Sequence, residues 1–98
     1  MQPPSFEWDP VKAALNLRKH GVSFVEAESV FEDDAGILVD EGIHLQGEPR
    51  YVLIGVRLEA RVLVVVHCER AAGATIRIIS ARKATAREEA EYHERWTR

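Results

Sequence analysis

Two valine-rich runs, residues 50–57 (RYVLIGVR) and 61–70 (RVLVVVHCER), constrain this chain more than any other feature of it. β-Branched residues at that density favour extended backbone. A connection of only Leu58, Glu59 and Ala60 makes the two runs neighbours in an antiparallel hairpin. A third run, residues 75–82 (TIRIISAR), follows the short segment 71–74 with its Gly73 and joins as the next antiparallel strand. Turn lengths then set the partners: Arg57 opposite Arg61, Tyr51 opposite His67, Arg70 opposite Thr75 and Val65 opposite Ser80.

Alternation along each strand sorts the side chains into two faces. One collects Val52, Ile54, Val56, Val62, Val64, Val66, Cys68, Ile79 and Ala81, a continuous apolar layer expected to hold the N-terminal helices. Arg50, Arg70 and Arg77 share its parity but lie towards strand ends, where long side chains reach solvent. The other face collects Tyr51, Arg57, Arg61, His67, Glu69, Ser80 and Arg82 among Leu53, Leu63, Val65, Ile76 and Ile78. That face is expected to be partly covered by a C-terminal helix and partly open.

Helix signals flank the strands. Asp9 followed by Pro10 reads as an N-cap and a first helical residue, and Gly21 as the stop. Val11, Ala14, Leu15 and Arg18 fall on one face of that helix. Ser23 with Glu26 makes a capping box for a second helix, whose apolar face is Phe24, Ala27, Val30 and Phe31. Residues 37–39 form a short strand after Gly36, and residues 41–49 a mostly polar loop. Thr85 with Glu88 caps a third helix that runs to the C-terminus and presents Tyr92 and Trp96 at i, i+4 spacing. The expected fold class is α+β in one domain, residues 1–98. An N-terminal helical hairpin packs on a mainly antiparallel sheet of three to four strands, closed by a C-terminal helix.

Composition narrows the function. With 46% hydrophobic and 30% charged residues the chain is not of the disordered class. No apolar run approaches the roughly 18 residues of a membrane span. The opening Met-Gln-Pro-Pro is not a signal peptide, so a cytoplasmic protein without membrane association is expected. A single cysteine, Cys68, excludes an internal disulfide. The net charge of −3 conceals an asymmetry: residues 1–48 carry three basic and ten acidic side chains, residues 49–98 ten basic and six acidic. Such a basic half suits an anionic partner.

No glycine-rich phosphate loop, serine elbow or helical histidine pair is present. His20, His44, His67 and His93 lack ligand spacing, so neither a metal nor a cofactor is expected. What remains is arginine, whose planar fork suits phosphate, and tyrosines Tyr51 and Tyr92, which can stack on a base. His67 and Glu69 on one side of one strand offer proton transfer beside those cations. The same residues also read as a half-buried strand histidine and an ordinary surface ion pair. Two functions stay open on these residues. One is a nuclease; the other is a non-catalytic module that docks an acidic protein or operator DNA, which explains the arginines but does not need His67 and Glu69.

Longer motifs favour the first. Phe6-Glu7-Trp8-Asp9 leading into Asn16-Leu17-Arg18-Lys19-His20-Gly21-Val22-Ser23-Phe24 resembles the opening of BrnT-type toxins. Gly47-Glu48-Pro49-Arg50-Tyr51, the Ile54-Gly55 pair, residues 61–70 and Arg77-Ile78-Ile79-Ser80-Ala81-Arg82-Lys83-Ala84 continue the resemblance. Departures are local: the 58–60 turn lacks the glycine often seen there, and Arg57 stands where a small polar residue is common. The resemblance implies a RelE-like fold and a metal-independent endoribonuclease of a type II toxin–antitoxin module that halts translation. It implies neutralisation by a BrnA-type antitoxin, with operator DNA met only through that antitoxin. It also implies that Lys19, His20, Arg70 and residues 80–83 lie near the active surface. Together with the face assignment, the expected catalytic set is His67, Glu69, Arg70 and Arg82, and the expected RNA-binding set is Lys19, His20, Arg61, Ser80 and Lys83. The substrate's own 2′-hydroxyl would be the nucleophile, activated by Glu69 or His67.

Overall fold

Asp9 holds extended backbone, and its carboxylate accepts the Val11 and Lys12 N–H groups at 2.8 and 3.5 Å, which starts helix α1 (Pro10–His20). Gly21 ends α1 in the left-handed region, φ 70°, and its N–H returns to the Leu17 carbonyl. Ser23 caps α2 (Phe24–Ser29) by accepting the Glu26 N–H at 3.0 Å. The computed structural model describes residues 3–43, 49–56 and 58–94. The Arg57–Arg61 pair, His44 and Trp96 therefore involve positions outside the described residues.

The strands are β1 (Ser5–Glu7), β2 (Ile37–Ile43), β3 (Pro49–Val56), β4 (Val62–Arg70) and β5 (Thr75–Lys83). They form one sheet in the order β1-β5-β4-β3-β2. The helix α3 (Ala86–Glu94) follows β5. The sheet is mixed rather than antiparallel throughout, because β1 runs parallel to β5. Five strands therefore replace the expected three to four. A three-residue β1 carries no period-two signal, and β2 runs four residues further than residues 37–39 because Gly42 (φ 82°) lets the chain bulge and resume pairing at Ile43.

The helices pack mainly on the sheet rather than on one another. The expected helical hairpin is therefore two helices docked side by side on β5. α1 also turns a different face inward: Asn16 is buried, while Val11, Leu15 and Leu17 are each more than half exposed. The reason is the edge of β5, which β1 covers only at residues 75–77. Beyond that point the Asn16 side chain substitutes for a strand. Its Nδ2 donates to the Ala81 carbonyl (2.8 Å) and the Val22 carbonyl (2.9 Å), and its Oδ1 accepts the Ala81 N–H (3.1 Å). Buried backbone groups need partners, and an amide with one donor and one acceptor end matches the strand's own chemistry.

Two cores result, one on each face. Val22, Phe24, Ala27 and Val30 pack with Leu53, Leu63, Val65, Ile78 and Ala81, flanked by Phe6, Trp8, Ala13 and Phe31. On the opposite face Tyr92 of α3 packs with Ile54, Val62 and Val64, flanked by Ile37, Val52, Val56 and Ala84. The alternation holds, but the two covers are exchanged relative to expectation. The α1/α2 layer sits on the Leu53–Leu63–Val65 face, and the single helix α3 sits on the valine face. The longer Leu and Ile side chains and three phenylalanines fill the deeper layer under two helices, whereas valines suffice beneath one short helix.

A second correction concerns register. Tyr51 lies opposite His67 and Arg70 opposite Thr75, as the turn lengths require. Val65, however, pairs with Ala81, and Val66 with Ser80, because one extra residue is accommodated in β5 between Ile78 and Ser80. This bulge inverts the parity of everything after it. Ser80 and Arg82 move to the α3 face, while Ala81 turns into the main core.

Candidate functional site

The register puts Arg50, Val66, Cys68, Arg70, Thr75, Arg77, Ser80 and Arg82 on one face, together with Glu7 through its pairing with Arg77. α3 covers the Val62–Val64 end of this face; among the described residues neither core extends to the Arg50–Arg70–Arg77 end, where Arg70 is exposed and Cys68 beneath the arginines is buried. The open face that was expected opposite the apolar layer is thus the far end of that layer. Of the expected site residues, Arg70, Ser80 and Arg82 lie on this face but are spread along it: Arg70 pairs with Thr75, Val66 with Ser80, and Arg82 with Val64, six residues of β4 from Arg70 and beside α3. Arg50 and Arg77 share the face, as the alternation along their strands requires.

Each arginine here with a recorded partner meets a carboxylate. Glu7 Oε2 lies 2.9 Å from Arg77 Nη1 and 3.7 Å from Arg70 Nη1. Arg82 donates to Glu88 through Nη1 (2.7 Å to Oε1) and Nη2 (2.9 Å to Oε2), and through Nη1 to the Lys83 carbonyl at 3.2 Å. This fork holds the Glu88 carboxyl down at about 2, with the N–H of Thr85 a smaller cause, and it raises the Arg82 guanidinium. Glu88 also closes the α3 capping box: its Oε1 accepts the Thr85 N–H (2.8 Å), and its own N–H donates to Thr85 Oγ1 (3.2 Å). Arg50 Nε is enclosed with no hydrogen-bond partner.

The remaining expected residues lie elsewhere. Lys19 and His20 stand at the C-terminal end of α1 along the outer edge of β5, around a small cleft shared with Ile79, the neighbour of Ser80. Lys83 is exposed at the end of β5. Arg61 is committed to structure: Nε and Nη2 grip Glu26 at 2.8 and 2.6 Å, and Nη2 also donates to the Gly21 carbonyl at 2.9 Å. Glu26 is 6% exposed, so this ion pair ties α2 to the start of β4. Its position beside α2 takes Arg61 off the open face.

His67 is corrected most. It is 1% exposed, edge-on to Phe31 (4.7 Å) and stacked on Tyr51 (5.7 Å), beneath the α2 side of the sheet. Burial lowers its pKa to about 4, so it is neutral at physiological pH, and its Nδ1 has no hydrogen-bond partner. Glu69 shares that face and faces Tyr51, whose hydroxyl is raised by partial burial and then by Glu69 and Asp40. Neither His67 nor Glu69 stands beside Arg70 and Arg82 as a proton-transfer pair; the sheet separates them. The phase slip in the apolar pattern, Ile76 and Ile78 and then Ile79 and Ala81, is the sequence signal that would have exposed the bulge.

Among the described residues no three His, Cys, Asp or Glu side chains stand close enough to hold a metal ion, and no helix is long and apolar enough to cross a membrane. The open face offers several guanidinium groups, a hydroxyl and two carboxylates on one surface, a set that binds phosphate and moves a proton.

The sequence profile of the ribonuclease toxin BrnT, of type II toxin–antitoxin systems, matches residues 8–88. The crystal structure of the Brucella abortus ribonuclease toxin BrnT has a similar fold, with a TM-score of 0.60 at 20% identity over 84% of this chain and 97% of that one. No curated protein sequence matches the chain. The profile runs from just before α1 to the first turn of α3, most of the chain, and on that extent the chain belongs to the BrnT family of type II toxin–antitoxin ribonuclease toxins.

Proposed function

We propose that this protein cuts RNA on its valine face, without a metal ion, and thereby stops translation until a BrnA-type antitoxin binds it. The observation that carries the reading is the gathering of Arg50, Arg70, Arg77, Ser80 and Arg82 on one incompletely covered face of a ribonuclease-family fold.

The chemistry uses the substrate's own 2′-hydroxyl. Its proton leaves to a general base, the oxygen attacks the adjacent phosphorus, and the bond to the 5′-oxygen breaks as that oxygen takes up a proton. The products are a 2′,3′-cyclic phosphate and a 5′-hydroxyl. Arg82 stabilises the charge that builds on the non-bridging oxygens, with Ser80 donating on the same strand, while Arg70 and Arg77, further along the face, hold neighbouring phosphates. Glu69 and His67 stand on the opposite face and do not take that proton. Glu88 is a poor base, since Arg82 holds its carboxyl down at about 2. Lys19, His20 and Lys83, around the outer edge and end of β5, hold flanking phosphates and supply the proton to the leaving oxygen.

The test is incubation of the purified protein with matched RNA and DNA strands in excess EDTA. RNA should be cut to cyclic-phosphate ends and DNA spared. Intact RNA, or cleavage that EDTA abolishes, refutes the mechanism. Expression alone should arrest growth, and co-expression of the abutting small gene should relieve it. Growth that is tolerated without that gene favours the non-catalytic binding module instead.

A further inference from the structure

Arg82 differs from its neighbours in how it is held. Arg70 and Arg77 each approach Glu7 through a single Nη1 atom, whereas Arg82 is gripped through both terminal nitrogens. We infer that Glu88 is the positioning residue for Arg82, clamping the end of the guanidinium so that its side edge faces the scissile phosphate. This inference rests on the ribonuclease reading of the open face.

A guanidinium carries five N–H groups in one plane. Two Nη1 hydrogens serve Glu88 and the Lys83 carbonyl, and one Nη2 hydrogen serves Glu88. The Nε–H and the second Nη2–H remain, and they lie parallel along one edge, the arrangement that grips two oxygens of a phosphate. A bound phosphate can thus take Arg82 without displacing Glu88.

The clamp is itself fixed. Glu88 sits at the third helical position of α3 with the capping box to Thr85 on either side of it. The segment before α3 is pinned by the Ala84 N–H on the Val62 carbonyl (2.9 Å). Further along α3, the Tyr92 hydroxyl donates to Asp33 Oδ2 at 2.6 Å, and Tyr92 is 3% exposed in the second core. The orientation of Arg82 therefore traces back to a packed core, which a long flexible side chain lacks on its own.

The test compares wild type with Glu88→Ala, Glu88→Gln and Thr85→Ala. Three readouts are taken on each: single-turnover cleavage of an RNA oligonucleotide, its pH profile, and binding of the same oligonucleotide with a 2′-deoxy scissile position. Glu88→Ala should slow cleavage tenfold to a hundredfold while changing binding less than threefold, the signature of lost alignment rather than lost contact. Glu88→Gln keeps one acceptor and should recover part of the rate. Neither should alter the shape of the pH profile, because Glu88 stays ionised across it. Thr85→Ala weakens the helix cap but leaves the fork, and should cleave within threefold of wild type. Should Glu88→Ala not fold, Glu88→Gln carries the comparison. Cleavage at the wild-type rate in the Glu88 variants, or tighter binding with faster cleavage, overturns the inference, the latter by making Glu88 a competitor of phosphate. A wild-type protein that cleaves nothing overturns the ribonuclease reading itself, and the positioning role with it.

Discussion

Arg61→Ala separates a structural arginine from an RNA-binding one. In the folded protein Arg61 gives Glu26 two hydrogen bonds and the Gly21 carbonyl a third. The Glu26 side chain is 8% exposed and the Arg61 side chain 32%. Removing one partner of a fully buried pair costs about 3–5 kcal/mol, and of an exposed pair about 0–1 kcal/mol. This pair is enclosed on one side only, so about 2 kcal/mol is the fitting figure, and the lost bond to Gly21 adds about 1 kcal/mol. A total near 3 kcal/mol in a domain of this size lowers Tm by about 12–24 °C. Glu26→Gln should cost roughly 1 kcal/mol, because it leaves the more exposed partner uncompensated and keeps a hydrogen-bond acceptor. Thermal melts followed by circular dichroism, with urea titrations, measure both. RNA cleavage by Arg61→Ala, scored per folded molecule at low temperature, should match wild type. A melt within 3 °C of wild type refutes the structural assignment. So does a folded variant that has lost cleavage.

Three further outcomes follow from the same reasoning. His67 titrates at about 4 when folded and near 6.5 when unfolded, so the unfolded chain binds the extra proton between those values. Its contribution is therefore complete above about pH 6.5 and declines by about 3 kcal/mol towards pH 4, a slope that urea titrations should find missing in His67→Leu. Asn16→Asp keeps an acceptor for the Ala81 N–H but cannot donate to the Val22 and Ala81 carbonyls, and should lose about 3 kcal/mol; a wild-type melting curve contradicts the strand-substitute role. Ala60 sits at φ 54°, in the turn where the family often has glycine, and Ala60→Gly should raise stability by about 0.5–1 kcal/mol, while a drop in Tm shows that the turn is not strained.

What the sequence disclosed was local. The caps at Asp9, Ser23 and Thr85 and the stop at Gly21 are settled by contacts within four residues and formed as expected, except that the Ser23 box closes from one side only, because Arg61 holds the Glu26 carboxylate. The Tyr51–His67 register followed from a short turn. What it concealed required distant partners. Nothing in Asn16 itself says that it will finish the edge of a strand 65 residues away. Nothing in the alternation of β4 says which face receives two helices and which receives one, because both rows are apolar. His67 and Arg61 share a face, as read, but that face is the one α2 buries, so exposure was assigned to the wrong side. Arg70, Ser80 and Arg82 still share a face, because the bulge at Ile79 carried the latter two across the sheet to the side of the first.

That bulge also explains why the site is compatible with an acidic protein. Without it Arg82 would point into the α1/α2 core, where a guanidinium needs a buried carboxylate, and Ala81 would leave a gap on the open side. With it, Arg82 meets Glu88 at the N-terminal turn of α3, and Arg77 meets Glu7 on β1. The arginines are thereby concentrated on one face yet partly neutralised there, so the long-range field stays weak while the local hydrogen-bond donors remain. Binding at such a surface depends on phosphate contact and geometry more than on net charge. A net charge of −3 is on those terms no obstacle to the RNA substrate proposed above, and the helix that forms the second core also borders that face.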